Sequence, residues 1–236
     1  MNKKTVLIAG ASRGLGYFLA QKYLEDGAFV LAGVRKPDSG KLAGLAERYP
    51  DRLIQLPMDV ADTASVAKAA ALAAERVSRV DVVINNAGIH AESSFQALEQ
   101  TDLDDCIPVY NVNAVGPLRV VKAFLSLIPE NAGALIVNIS SESGSISTAG
   151  REKEFDYCMS KAALNMGTKL LDNYFCGRGI KVIAVHPGWM RTDMGGMNAD
   201  LDPYETACKL VRLFDGVDVK NRELTFMDNE GKAYPW

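Results

Sequence analysis

Strand-sized apolar runs alternate with helix-period patterns along nearly the whole chain, and this constrains its fold more than any other feature. Runs such as Asp81-Val82-Val83-Ile84 are apolar at consecutive positions rather than at every second one. A strand of that kind is buried on both faces, as in a parallel sheet covered by helices on each side. The pattern predicts strands near residues 4–9, 28–33, 53–57, 81–85, 134–139, 180–186 and 223–226. Helices are predicted near residues 14–26, 38–49, 62–77, 101–128, 155–176 and 203–214. Such alternation implies an α/β fold with a doubly wound parallel sheet of about seven strands. Its ligand would sit beyond the carboxyl ends of the strands, where strand order reverses.

Composition removes several function classes. The 236 residues are 48% hydrophobic and 23% charged, ordinary for a folded globular chain and too apolar for disorder. With no linker, repeat or low-complexity tract, a single domain is expected. A net charge of −3 leaves no basic footprint for nucleic acid or an anionic membrane. The longest apolar stretches are strand-sized, far short of a membrane span. The two lysines before the apolar run at residues 5–9 suggest a leader peptide, but a glycine motif follows at once, so the run reads as a first strand. Cys106, Cys158, Cys176 and Cys208 show neither disulfide nor metal spacing, and read as reduced thiols in a cytoplasmic protein with no metal.

The first strand leads into Ala9-Gly10-Ala11-Ser12-Arg13-Gly14-Leu15-Gly16, which opens a helix. Glycines there permit a tight turn, a close approach of backbone to a pyrophosphate and close helix–strand packing. The helix start adds unpaired N–H groups and the positive end of the dipole. This placement points to a Rossmann-type dinucleotide site; the alternative is an ordinary βα turn, many of which carry glycine. The second strand ends in Gly33-Val34-Arg35-Lys36 and lacks the acid that holds an NAD ribose. Arg13 and Arg35 are placed to grip a 2′-phosphate, which favours NADP. The alternative is that Arg35 and Lys36 form only a solvated turn.

Tyr157 and Lys161 lie four apart in a helical pattern, on one face. An ammonium beside a phenol favours the phenolate, so the pair is expected to bring the Tyr157 pKa toward neutrality and make it a working proton donor. A wet surface pair is the bland alternative. The fifth strand ends in Ser140-Ser141, where a hydroxyl can support a developing oxyanion or simply make a turn. Asn85-Asn86-Ala87-Gly88 ends the fourth strand, with amides to pin the sheet and small residues to leave room for a ligand. Arg151-Glu152-Lys153-Glu154 reads as a solvated charge run that also has the option of rimming a cleft. His186 has no triad or metal partner and reads as structural. Gly195 to Asp200 reads as a mobile lid whose methionines suit an apolar substrate.

These motifs together resemble the short-chain dehydrogenase/reductase family. The matching residues are Gly10-x-x-x-Gly14-x-Gly16, Asn85-Asn86-Ala87-Gly88, Asn113-x-x-Gly116, Tyr157-x-x-Ser160-Lys161 and Pro187-Gly188-x-x-x-Thr192, in the family's order from end to end. Ala9 stands where the family usually has Thr, and the stretch from Gly144 to Phe155 is a few residues longer than in many members. The string Pro187 to Gly196 and the closing Phe226 to Trp236 resemble the branch of sniffer-type carbonyl reductases and C-factor-like bacterial proteins.

The resemblance implies catalytic Asn113, Ser141, Tyr157 and Lys161. In it Asn113 kinks its helix and holds a water of the proton relay, while Ser141 rather than Ser140 meets the substrate. It implies cofactor contacts from Gly10, Ser12, Arg13, Gly14, Leu15, Gly16 and Arg35, and from Asp59, Val60, Asn86, Ala87 and Gly88. Tyr157, Lys161, Pro187, Gly188, Met190 and Thr192 would complete them, with Asp59 and Val60 at the adenine; read from the sequence alone, Asp59 is a helix cap. A cofactor half would span about residues 1–130, and a catalytic and substrate half about 131–236. The implied activity is NADPH-dependent reduction of a small ketone, aldehyde or quinone, in a homodimer or homotetramer. The alternative is an NADP(H)-binding signalling protein with slow or incidental catalysis.

Overall fold

Seven strands, all parallel, form the sheet of the computed structural model, which describes residues 4–37 and 41–236. They are β1 (Thr5–Ala9), β2 (Phe29–Val34), β3 (Leu53–Pro57), β4 (Val82–Asn85), β5 (Ala134–Ile139), β6 (Ile180–His186) and β7 (Phe226–Asp228). Their order is β3-β2-β1-β4-β5-β6-β7, so the direction of winding reverses between β1 and β4. Every residue of β1, β4 and β5 is buried, as consecutive apolar residues in a doubly covered sheet require.

The helices are α1 (Gly14–Glu25), α2 (Lys41–Arg48), α3 (Thr63–Ala74), α4 (Cys106–Tyr110), α5 (Gly116–Phe124), α6 (Phe155–Tyr174) and α7 (Pro203–Asp215). One core layer packs Leu19, Tyr23, Leu210 and Phe214 of α1 and α7 against Val6, Ile8 and Val185. The other packs Val66 and Ala69 of α3 with Val120 and Phe124 of α5 against Leu7, Val83 and Ile136.

Three elements differ from expectation. The helix predicted over 101–128 is broken: α4 and α5 are joined by a π-helical turn, Asn111–Val115, and flanked by 3-10 turns. The last strand is 226–228 rather than 223–226, because Leu224 N turns back to Asn221 Oδ1 and pairing with β6 begins at Ala184–Phe226. The start of the helix predicted over 38–49 lies outside the described residues.

The third difference concerns α6. Its sequence reads as an apolar-periodic helix, yet its buried face is mostly polar: Asp156, Ser160, Lys161, Asn165, Thr168 and Asp172, with Leu164. Buried polar groups are tolerated when each finds a partner, and these do. Asp156 accepts from Ala91 N (2.8 Å) and Ser94 Oγ (2.6 Å), and Thr168 Oγ1 accepts from Asn138 Nδ2 (2.8 Å). Asp172 takes Arg222 at 2.7 Å and Lys181 at 3.4 Å. The apolar residues Met159, Met166, Leu170 and Tyr174 face outward instead.

Candidate active site

Strand register brings the carboxyl ends of the strands to one edge, with Ala9 opposite both Gly33 and Asn85, and Asn85 opposite Asn138. The glycine loop leaves β1 at this edge. Gly10 adopts φ +86, and a Cβ there would lie 2.7 Å from Ala87 Cα. A Cβ on Gly16 would lie 2.1 Å from the Gly10 carbonyl and 2.5 Å from Asn86 Nδ2. Glycine at these two positions is therefore a packing necessity. Asn86 Nδ2 donates to Gly10 O at 2.8 Å, so the asparagine after β4 holds the loop after β1. Val60 and Ala87 line a narrow crevice at the switch point, together with Ala9, Asn85, Val112 and Pro117. Asn85 Oδ1 is buried there without a hydrogen-bond partner among the described residues.

Other predicted cofactor residues sit around this edge. Ser12 and Arg13 are exposed in the loop, and Arg13 Nη1 donates to Asp193 Oδ2 at 3.1 Å. Arg35 is exposed one residue past β2. Asp59 is not the cap of α3; that is Asp62, which accepts from Ala64 N, whereas Asp59 Oδ1 closes a turn by accepting from Ala61 N at 2.9 Å. Leu15 is buried under the loop. Thr192 lies over the loop, its Cγ2 3.6 Å from where a Gly14 Cβ would be. Gly188 has φ +88, and Asn229 Nδ2 pins the preceding carbonyl of Pro187 at 2.9 Å. Met190 bridges to Leu201, and its carbonyl accepts from Thr192 Oγ1 at 3.5 Å. The predicted lid begins as hydrogen-bonded turns: Gly195 N donates to Thr192 Oγ1 and Trp189 Nε1 to Gly195 O.

Past β5 and on α6 the titratable residues gather. Ser140 and Ser141 differ in their hydrogen-bond partners. Ser140 Oγ donates to Asn165 Oδ1 at 2.6 Å inside the core, while Ser141 Oγ donates to Glu142 Oε2 at 2.8 Å and its hydroxyl acts to lower the pKa of the Tyr157 phenol. Lys161 Nζ donates to Ile139 O at 2.8 Å and stands 5.4 Å from the Tyr157 ring centroid. Asn113 is fully buried in the π turn, the irregularity expected of it. Its side chain clamps both backbone groups of Ile89, at 2.8 Å each, and donates to Ser160 Oγ at 3.0 Å. A Cβ on Gly88 would lie 3.6 Å from Asn113 Oδ1 and 3.7 Å from Lys161 Nζ, so these three converge. Asn111 is turned elsewhere, its Oδ1 accepting from Arg119 at 2.6 Å.

The electrostatics correct one expectation. Tyr157 is not brought toward neutrality: burial pushes its pKa up to about 12, and the hydrogen bond from Ser141 opposes this only in part. Burial also lowers the Lys161 ammonium to about 8, which weakens the charge meant to draw the phenol down. His186 is structural, as expected; its Nδ1 accepts from Glu142 N at 3.1 Å and burial lowers its pKa.

Several residues of this edge escaped the sequence reading. Asn138 bridges Asn85 of β4 to Thr168 of α6, at 2.8 Å on each side. A lone asparagine inside an apolar strand was the available signal. Arg151 and Glu154 are not simply solvated: Arg151 pairs with both Glu154 and Glu142 beside Ser141. Among the described residues no cluster suits a metal ion, no helix is long and apolar enough to cross a membrane, and the four cysteines are unpaired.

Known proteins resemble this chain in sequence and in fold. The sequence model of short chain dehydrogenases matches residues 4–201. C-signal of Myxococcus xanthus is 34% identical over 157 residues, 66% of this chain and 93% of that protein. Among solved structures, NADPH bound carbonyl reductase from chicken fatty liver superposes with a TM-score of 0.91 at 33% identity, covering 100% of both chains. Carbonyl reductase Sniffer of D. melanogaster gives 0.89 at 27% identity, again over 100% of both.

Proposed function

Because the chain belongs to the short chain dehydrogenase family, we propose that it is an NADPH-dependent carbonyl reductase acting on a small ketone, aldehyde or quinone. The observation that carries this is the meeting of Ser141, Tyr157 and Lys161 at the same sheet edge as the glycine loop. The loop fits a dinucleotide: backbone and Asn86 already fill the space that a Cβ at Gly10 or Gly16 would take, so the turn can be this tight only with glycine, and Ser12 and Arg13 at its tip are exposed. Gly10, Ser12, Arg13, Gly14, Leu15 and Gly16 would hold the pyrophosphate and Arg35 the 2′-phosphate. Asp59, Val60, Asn86, Ala87 and Gly88 would line the adenosine side. Pro187, Gly188, Met190 and Thr192 would line the nicotinamide side. NADPH, when bound, supplies the hydride that reaches the carbonyl carbon.

The chain's own residues do the rest. Tyr157 gives its proton to the carbonyl oxygen as the alcohol forms; a phenol kept protonated by burial is suited to that direction. Ser141 steadies the same oxygen. Lys161, buried and fixed to Ile139 O, stands ready for the ribose and the phenol. Asn113 shapes the helix that frames them.

NADPH oxidation over a panel of ketones, aldehydes and quinones tests this. Tyr157→Phe should lower kcat/KM about 10²–10⁴-fold while NADPH binding stays nearly unchanged; equal loss of both overturns the assignment. The second reading, a regulatory NADP(H)-binding protein, draws on the similarity to C-signal. Tight NADPH binding with no turnover on any compound would favour it. The outward apolar stripe of Met159, Met166, Leu170 and Tyr174 lies beside α4, where Ile107 is 71% exposed, and we infer a homodimer through this face. Light scattering that reads a monomer at all concentrations would refute that.

A further inference from the structure

Arg119 of α5 reaches across to the turn between β3 and α3. Its Nη1 donates to Val60 O at 3.1 Å and to Asn111 O at 3.2 Å, and its Nη2 to Asn111 Oδ1 at 2.6 Å. Its Nε donates at 3.0 Å to Oγ1 of Thr63, the first residue of α3. Asn111 adds a second tie to the same turn, its Nδ2 donating to Ala61 O at 3.2 Å. The carbonyls of Val60 and Ala61 are thus both held by side chains of the π turn and the helix after it. The packing there is close as well: a Cβ on Gly116 would lie 3.1 Å from Val60 Cβ and 3.3 Å from Val60 O. A guanidinium is a rigid planar fork, so it fixes the spacing of the two segments it bridges as a flexible ammonium would not. On its other side the π turn meets the catalytic helix, where Asn113 donates to Ser160 Oγ at 3.0 Å.

We propose that Arg119, together with Asn111, is a positioning residue for the adenosine end of the cofactor: it holds the Val60–Ala61 turn in the shape that receives that end. This rests on the reading of Asp59 and Val60 as adenosine-side residues of an NADPH site. Val60 is buried, with its side chain between the switch-point crevice and Gly116. Because Arg119 and Asn111 already satisfy the two carbonyls, the turn is ordered before any ligand arrives, and binding does not bear the cost of ordering it. The competing account makes Arg119 only a structural tie between α3 and α5. Such a tie has no reason to act on one half of the cofactor more than on the other.

Calorimetry on the full chain with NADPH and with adenosine 2′,5′-bisphosphate, which carries the adenosine end alone, tests this. Arg119→Met keeps the apolar stem and removes every donor. It should weaken both ligands by about tenfold, the scale of one contact left to be ordered on binding. The two losses should match, because the nicotinamide half is untouched, and kcat at saturating NADPH should hold. Arg119→Lys offers one ammonium to the same acceptors and should recover only part of the loss. Asn111→Asp keeps an acceptor for Arg119 but removes the donor to Ala61 O, so it should weaken both ligands too; it carries the test if Arg119→Met does not fold. In the ligand-free variants, amide exchange should quicken at Ala61 and Asp62, which close the turn on Asp59, and stay unchanged at Ile89, which Asn113 holds. A loss for NADPH that the bisphosphate does not share overturns the proposal, as does an earlier melt with both affinities intact. Wild type that binds neither ligand sinks the cofactor reading and the proposal with it, whereas wild-type affinities that the variants retain overturn the proposal alone.

Discussion

Lys161 Nζ donates to the carbonyl of Ile139 at 2.8 Å, so the amine is fastened to the last residue of β5 rather than to the phenol one turn before it. Burial lowers its pKa from 10.5 to about 8. A lysine that titrates lower folded than unfolded costs stability wherever the unfolded amine is charged. The cost is complete below about 8, shrinks as pH rises, and is gone above 10.5, where both states are neutral. Lys161→Met should therefore stabilise the protein at pH 7 by on the order of 2 kcal/mol, after allowing for the lost hydrogen bond. The gain should fade toward pH 10.5, and turnover should fall at every pH. Urea unfolding at pH 7 and 10 measures both ends; a variant less stable than wild type at pH 7 contradicts the argument.

Ser140 and Ser141 should fail in different ways. Ser140 Oγ is buried against Asn165 Oδ1, so Ser140→Ala strands an amide oxygen and should cost about 1–3 kcal/mol of stability. Ser141 is half in the site, and Ser141→Ala should cost roughly 10²–10³-fold in kcat with little change in unfolding. Thermal melts and turnover on the two variants separate them. The reverse pattern would exchange their roles.

Cofactor choice should turn on Arg35. It is exposed beyond β2, so its substitution disturbs little of the fold. Arg35→Glu should lower the NADPH-over-NADH preference in kcat/KM by tenfold or more, since a carboxylate repels a 2′-phosphate and accepts from a ribose hydroxyl. Arg13 is held less freely, through Asp193, in an exposed pair that adds little stability. An unchanged preference in Arg35→Glu would refute the 2′-phosphate argument.

What was legible in the sequence was local. Consecutive apolar residues announced β1 and β4, the spacing Gly10, Gly14, Gly16 announced the loop, and the four-residue step from Tyr157 to Lys161 announced a shared face. What was not legible depended on tertiary surroundings. Proximity to Lys161 argued for a more acidic Tyr157, but burial sets the sign, and sequence spacing carries no burial. The apolar residues of α6 looked like core, yet Asn138, Ser140 and Ser94 come from distant segments to satisfy a polar face, leaving Met166 and Leu170 outside. Glu142 escaped for the same reason, since its partner Arg151 lies nine residues on, across a turn.

Gly144 shows how closely that turn is fitted to α6. It ends the 3-10 turn Glu142–Gly144, and its carbonyl accepts from Asn165 Nδ2 at 3.0 Å. A Cβ there would lie 2.7 Å from the backbone carbon of Lys161, 2.8 Å from its oxygen and 2.9 Å from Asn165 Nδ2. Two of these atoms are helix backbone, which cannot rotate aside as a side chain can. Gly144→Ala must therefore push the turn and α6 apart, at a cost of about 1–3 kcal/mol. The same displacement separates Ser141, before the turn, from Tyr157 and Lys161 on the helix. Catalysis depends on that distance more steeply than folding does, so kcat should fall by about 10²-fold while NADPH affinity, set at the glycine loop, holds. A variant that melts earlier yet keeps full kcat would mean that α6 yields without opening the site.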